Sequence, residues 1–132
     1  MAAVMIVEDD RDTREMLGRF LELEGFEVQT AENGQLALEA LRINGDPCVI
    51  LLDLMMPVMN GWQFREAQAS DPRFSKIPVI VVTAAGARDD IPAIDADGWV
   101  PKPVDFDCLL ATIDSFCHIR TPRNPATTTP SS

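Results

Sequence analysis

Basic side chains are scarce. Lys and Arg together number 11 against 21 Asp and Glu, a formal net charge of -10. A surface that acidic repels nucleic-acid phosphates and anionic lipid headgroups, which argues against either as a partner. Long apolar runs are missing too, and none approaches the ~18 residues that a membrane-spanning helix needs. The first residues have no basic start and run into Glu8-Asp9-Asp10, so no signal peptide is expected and the cytoplasm is the expected compartment. Cysteine is limited to Cys48, Cys108 and Cys117, an odd number without metal-ligand spacing. All three read as reduced packing residues. The single histidine, His118, is expected near the end of the last helix as a dipole partner or surface residue, not a catalyst. Glycine-rich phosphate loops are absent, with neither a GxGxxG nor a Walker lysine motif.

What is present is a chain of 132 residues with 46% hydrophobic residues, the balance of one ordinary globular domain. Residues 1–119 are expected to form that domain. Residues 120–132, rich in Thr, Pro and Ser, have too little apolar surface to offset ordering entropy and read as a disordered tail. Val4–Val7, Val49–Leu52 and Val79–Val82 are continuous apolar runs, as in strands buried on both faces of a parallel sheet. Phe26–Thr30 alternates like an edge strand, and Gly98–Pro101 is a weaker fifth candidate. Between the first two runs, Thr13, Met16, Leu17, Phe20 and Leu21 keep helical periodicity and Gly25 stops the helix. Asn33 is placed to cap a second helix, a third starts near Gly61 with Phe64 and Ala67 inward, and a final one follows Asp105. Alternating strands and helices imply a doubly wound α/β fold: a parallel five-stranded sheet with helices on both faces.

Ligand sites in such sheets form at the carboxyl ends of the strands. There the sequence places Glu8-Asp9-Asp10 after the first strand, Asp53 after the third, Thr83 after the fourth and Lys102 after the fifth. Crowded carboxylates need a compensating cation, and an all-oxygen set suits Mg²⁺. Metal, ammonium and hydroxyl together make a phosphoryl pocket with Asp53 as nucleophile. Taken singly, each residue has a plainer reading: helix caps for Glu8, Asp9 and Asp10, turn residues for Asp53 and Thr83, a solvated lysine for Lys102. Their coincidence at alternate strand ends favours the site.

Val7-Glu8-Asp9-Asp10, the stretch from Leu52-Asp53 through Met56-Pro57 to Asn60-Gly61, Pro78–Ala84 and Lys102-Pro103 together resemble the receiver domain of bacterial two-component response regulators. The resemblance implies a flavodoxin-like (βα)₅ fold and phosphorylation of Asp53 by a histidine kinase or a histidine phosphotransfer protein. It implies Mg²⁺ held by Asp9 directly, by Glu8 through water, by Asp53 and by the Met55 backbone carbonyl. Asp10 then belongs to the loop entering the first helix. Thr83 resembles the switch hydroxyl, Lys102 the phosphate-pairing lysine, Trp99 the aromatic that turns inward with Thr83, and Lys102-Pro103 the family's cis peptide. A ring packed at the sheet edge is the plainer reading of Trp99.

The stretch between Thr83 and Lys102 departs from the family pattern: Pro92 leaves only about Ile91–Ala96 for a helix, so the fourth helix is expected to be short or irregular. Met55 and Ala85 cannot orient a hydrolytic water, which implies a long-lived phosphorylated state. No output domain fits after His118, so the expected function is a single-domain switch acting on a downstream target protein, as a monomer or a phosphorylation-dependent dimer. An Mg²⁺-dependent phosphohydrolase with an aspartate nucleophile would need a general acid–base where Met55 stands, and a substrate cap. A flavodoxin-like cofactor binder would need a phosphate loop where Glu8-Asp9-Asp10-Arg11-Asp12 would repel the anion.

Overall fold

In the computed structural model, which describes residues 3–53, 61–83, 96–102 and 104–117, five parallel strands form one sheet. In chain order the elements are β1 (Ala3–Val7), α1 (Arg11–Leu23), β2 (Glu27–Ala31), α2 (Gly34–Asn44), β3 (Val49–Leu52), α3 (Gly61–Ala69), β4 (Val79–Thr83), β5 (Gly98–Pro101) and α4 (Phe106–Asp114). The sheet order is β2-β1-β3-β4-β5. Residues 91–95, where most of the short fourth helix of the sequence reading would lie, fall outside the described residues, as do residues 118–132, which contain the expected 120–132 tail.

The three continuous apolar runs occupy the middle of the sheet because only there are both strand faces covered. Every residue of β3 is buried, and β1 is buried from Val4 to Val7. One face packs Met5, Val7, Ile50, Leu52, Val79 and Val81 against Ala37, Leu38 and Leu41 of α2 and Phe64 of α3. The other packs Val4, Ile6, Leu51, Ile80, Val82 and Val100 against Leu17 and Leu21 of α1 and Leu109 and Ile113 of α4. Alternate residues of each strand serve opposite faces, as the two-residue period of a strand requires.

Helix ends follow local chemistry. Asp10, Asn33 and Asp105 cap α1, α2 and α4, each side-chain oxygen accepting backbone N–H bonds at the first turn. Gly25 ends the turn after α1 with φ +96°, a conformation that costs other residues steric strain. Strand β2 starts one residue later than its alternation suggests, because Phe26 turns into the α1/α4 core instead of pairing with β1.

One sequence expectation is corrected. Cys48 and Cys117 are joined by a disulfide, with Cα atoms 5.6 Å apart and a separation of 69 positions in the chain, and only Cys108 is a free, exposed thiol. An odd cysteine count does not exclude a pair, and the pairing here is created by tertiary proximity: Cys48 precedes β3 while Cys117 follows α4. No helix among the described residues is long and apolar enough to cross a membrane.

The connection from α3 to β4 is organised by Gln68, a fully buried polar residue in α3. Its Nε2 donates to the carbonyls of Phe74 (2.8 Å) and Ile77 (3.0 Å), and its Oε1 accepts from Arg65 Nη1 (2.9 Å). Leaving buried polar groups without partners costs about 1–3 kcal/mol. Gln68→Ala is therefore expected to lower unfolding stability by about 1–3 kcal/mol, read as a lower urea midpoint at unchanged m-value. A shift near zero would show that the loop satisfies its carbonyls elsewhere.

Candidate functional site

Parallel pairing sets the site. In the β1·β3 ladder Val7 stands opposite Leu52, so the residues that follow, Glu8 and Asp53, emerge side by side at the carboxyl edge of the sheet. Backbone bonds hold that edge: Asp53 N–H donates to Val7 O (2.9 Å) and Glu8 N–H to Ala31 O (3.0 Å). Carboxylate oxygens of Glu8, Asp9 and Asp53 all lie within 4.8 Å of one another, with Glu8 and Asp53 buried and Asp9 exposed. Three oxygen donors of this kind fit a hard divalent cation, and Mg²⁺ readily leaves its remaining positions to water.

Lys102, at the end of β5, reaches across this edge. Its Nζ is 2.6 Å from Glu8 Oε1 and 4.0 Å from Asp53 Oδ1. The ammonium thus pairs most closely with the more buried carboxylate. Removing one partner of such a pair strands a buried charge, which is far costlier than losing an exposed pair.

Asp10 does not join the cluster. Its carboxylate accepts from the Thr13 backbone N–H (2.9 Å) and hydroxyl, and these bonds, the hydroxyl's foremost, hold its pKa below the ordinary 3.8. The bonds favour the charged form, so their contribution to stability is present above about pH 4 and lost as the pH falls below it. The backbone N–H of Asp10 in turn donates to Glu8 Oε2 (3.2 Å), which couples the helix cap to the cluster.

Sequence reasoning missed Arg14. This α1 side chain is largely buried; its Nη1 donates to Glu8 O (2.9 Å) and Asp9 O (3.4 Å), and its Nη2 lies 3.7 Å from Glu32 Oε1. The guanidinium therefore grips the backbone of the very loop that carries the acidic pair. Nothing in the linear sequence marks it, because a polar residue in the first turns of an amphipathic helix looks solvent-facing.

Thr83 closes β4, opposite Pro101 in the ladder, with only its backbone described. Met55, Ala85 and Pro103 lie outside the described residues. Trp99 pairs in register with Val81, is half-buried, and packs on the α2/α3 face of the sheet, where Trp62 of α3 also packs.

Comparison with known proteins places this arrangement. The family model of the response regulator receiver domain matches residues 4–114. The chain is 36% identical over 118 residues to Protein PilH of Pseudomonas aeruginosa, covering 87% of this chain and 97% of that protein. It is 38% identical over 121 residues to the transcriptional regulatory protein CpxR homolog of Haemophilus influenzae, covering 88% of this chain but 50% of that one. Against the crystal structure of the chemotaxis protein CheY4 of Vibrio cholerae the TM-score is 0.80 at 31% identity, over 89% of this chain and 99% of that one. The chain belongs to the receiver-domain family of response regulators; the five-stranded parallel sheet expected from the strand pattern is the one observed, and its fold is that of CheY4. It spans about half the length of several curated relatives, such as the CpxR homolog and the RpaA regulator of Synechocystis. Receiver domains are signalling domains that bind Mg²⁺ at an acidic pocket, and the cluster of Glu8, Asp9 and Asp53 has the donor set for it.

Arg14 gives a test with opposite signs. Its positive charge near the cluster opposes a bound cation, so as a bystander its removal would tighten Mg²⁺ binding. As the clamp on the Glu8–Asp9 backbone, its loss in Arg14→Ala is expected to weaken Mg²⁺ binding about tenfold, the usual cost of removing a group that orients metal ligands. Calorimetric Mg²⁺ titration of Arg14→Ala and Arg14→Lys against the wild type reads the sign directly.

Proposed function

We propose that this chain is a phosphoacceptor switch in which Asp53 takes a phosphoryl group from a phosphohistidine on a kinase or phosphotransfer protein. The observation that carries the reading is the convergence of Glu8, Asp9 and Asp53 with Lys102 at one edge of the sheet. A carboxylate oxygen of Asp53 would attack phosphorus as the bond from phosphorus to the donor imidazole nitrogen breaks, leaving the electron pair on that nitrogen. Glu8, Asp9, Asp53 and the Met55 carbonyl are the residues we assign to Mg²⁺. The bound ion would supply charge neutralisation that lets an anionic phosphoryl group approach three carboxylates.

Lys102 has the further role of a counter-charge. It is held by Glu8 in the present structure and stands near enough to Asp53 to pair with a phosphoryl oxygen there. Thr83, at the end of the neighbouring strand, is the hydroxyl we assign to a second phosphoryl oxygen, and Trp99 is the ring we assign to the space that Thr83 leaves. Residues 1–119 would act as the switch, in the cytoplasm. Its output would be contact with a target protein, as a monomer or as a dimer formed on phosphorylation.

Incubation with acetyl phosphate and Mg²⁺ is expected to add one phosphoryl group by intact mass, and chelation of the metal or Asp53→Asn to abolish it. Undiminished labelling of Asp53→Asn would sink the assignment. In a Trp62→Phe background, beryllofluoride with Mg²⁺ is expected to shift Trp99 emission, and Thr83→Ala to remove that shift. An unchanged spectrum despite demonstrated binding would leave Trp99 as a packing residue.

A further inference from the structure

The opposite edge of the sheet carries chemistry that phosphoryl transfer does not use. Cys48 lies just before β3, and its backbone N–H donates to Ala3 O (2.7 Å) at the amino end of β1. Cys117 follows α4 and is 3% exposed, its backbone N–H bonded to Ile113 O (2.8 Å). The Cys48–Cys117 bond therefore ties the end of α4 to the amino end of β3, while Glu8, Asp9, Asp53 and Lys102 lie at the carboxyl end.

We propose that Cys48 and Cys117 are a reversible thiol-oxidation site whose substrate is a low-molecular-weight disulfide, and that its state decides how firmly the last turn of α4 is held to the sheet. Three observations support this. The fold has a continuous core on both faces of a five-stranded sheet and does not need a covalent staple, unlike the small domains that depend on one. Opened, Cys117 remains a small apolar residue among Leu109, Ile113 and Val49, so the reduced state also packs. The two sulfurs are unequally placed: Cys48 is half-buried and Cys117 buried, so a reagent meets Cys48 first and Cys117 is sheltered to complete the reaction.

The exchange balances. The Cys48 thiolate attacks one sulfur of the small disulfide, forming a mixed disulfide and releasing one small thiolate. The Cys117 thiolate then attacks Cys48 Sγ and releases the second. Two cysteine thiols lose two electrons in total, the small disulfide gains them, and the two cysteine protons end on the released thiols. Excess small thiol reverses each step, attacking at Cys48.

The bond acts on a helix that is otherwise held by packing. Inward contacts of α4 are Leu109 and Ile113, and it approaches β5 so closely that a Cβ at Gly98 would lie 3.2 Å from Thr112 Cγ2. Helix termini open locally at low free energy, and a cross-link beyond the last turn suppresses that opening.

The test uses the folded full chain, treated with oxidised glutathione or with dithiothreitol and then denatured for thiol counting by maleimide mass shift. One labelled thiol, Cys108, is expected after oxidation and three after reduction, with repeated interconversion. Amide exchange over 112–117 is expected to slow by about tenfold in the oxidised form. Cys48→Ser and Cys117→Ser, made separately because the buried position is the more sensitive to change, should each erase that difference, and Cys108→Ser should preserve it. Three thiols after oxidation, a bond that opens only after denaturation, or equal exchange in both states would each overturn the proposal.

Discussion

Three carboxylates within 4.8 Å of one another repel, and two of them are buried, so the carboxyl edge of this sheet depends on a counter-charge. Lys102 supplies it from 94 residues away in sequence, with its Nζ 2.6 Å from Glu8. The ladder makes this pairing reachable. Glu8 and Asp53 leave adjacent strands at the same level, and Lys102 leaves the edge strand two places beyond β3. A long, flexible lysine side chain covers that distance. The arrangement is costly when incomplete: without the ammonium, the buried carboxylates would be left to repel one another.

The same cluster is braced from the backbone side. Arg14 holds the carbonyls of Glu8 and Asp9, the Asp10 backbone N–H holds the second oxygen of Glu8, and Asp10 itself caps α1. The acidic run thus divides its labour by position. Glu8 and Asp9 face the cluster, while Asp10 is taken up by Thr13 and the start of the helix. Carboxylates of identical chemistry differ in role because the chain turns from strand to helix between them.

The two edges of the sheet are separated in purpose. At the carboxyl edge, charge and oxygen donors converge; at the amino edge, a covalent bond between Cys48 and Cys117 fastens the end of α4. Between them lies a core packed on both faces of the sheet.

Much of this was legible from residues in order. The apolar runs at Val4–Val7, Val49–Leu52 and Val79–Val82 identify central parallel strands because only strands covered on both faces are apolar throughout. Asn33 and Asp105 mark helix starts because a cap needs only its own side chain and the next turn. These are local effects, and local sequence determines them. Tertiary structure alone decided that Lys102 pairs with Glu8 more closely than with Asp53, that Arg14 turns back onto the acidic loop, that Gln68 serves two loop carbonyls, and that two of three cysteines meet. Each of these joins groups whose separation depends on packing and strand order, and residue identity carries no record of a distance that only the folded sheet sets.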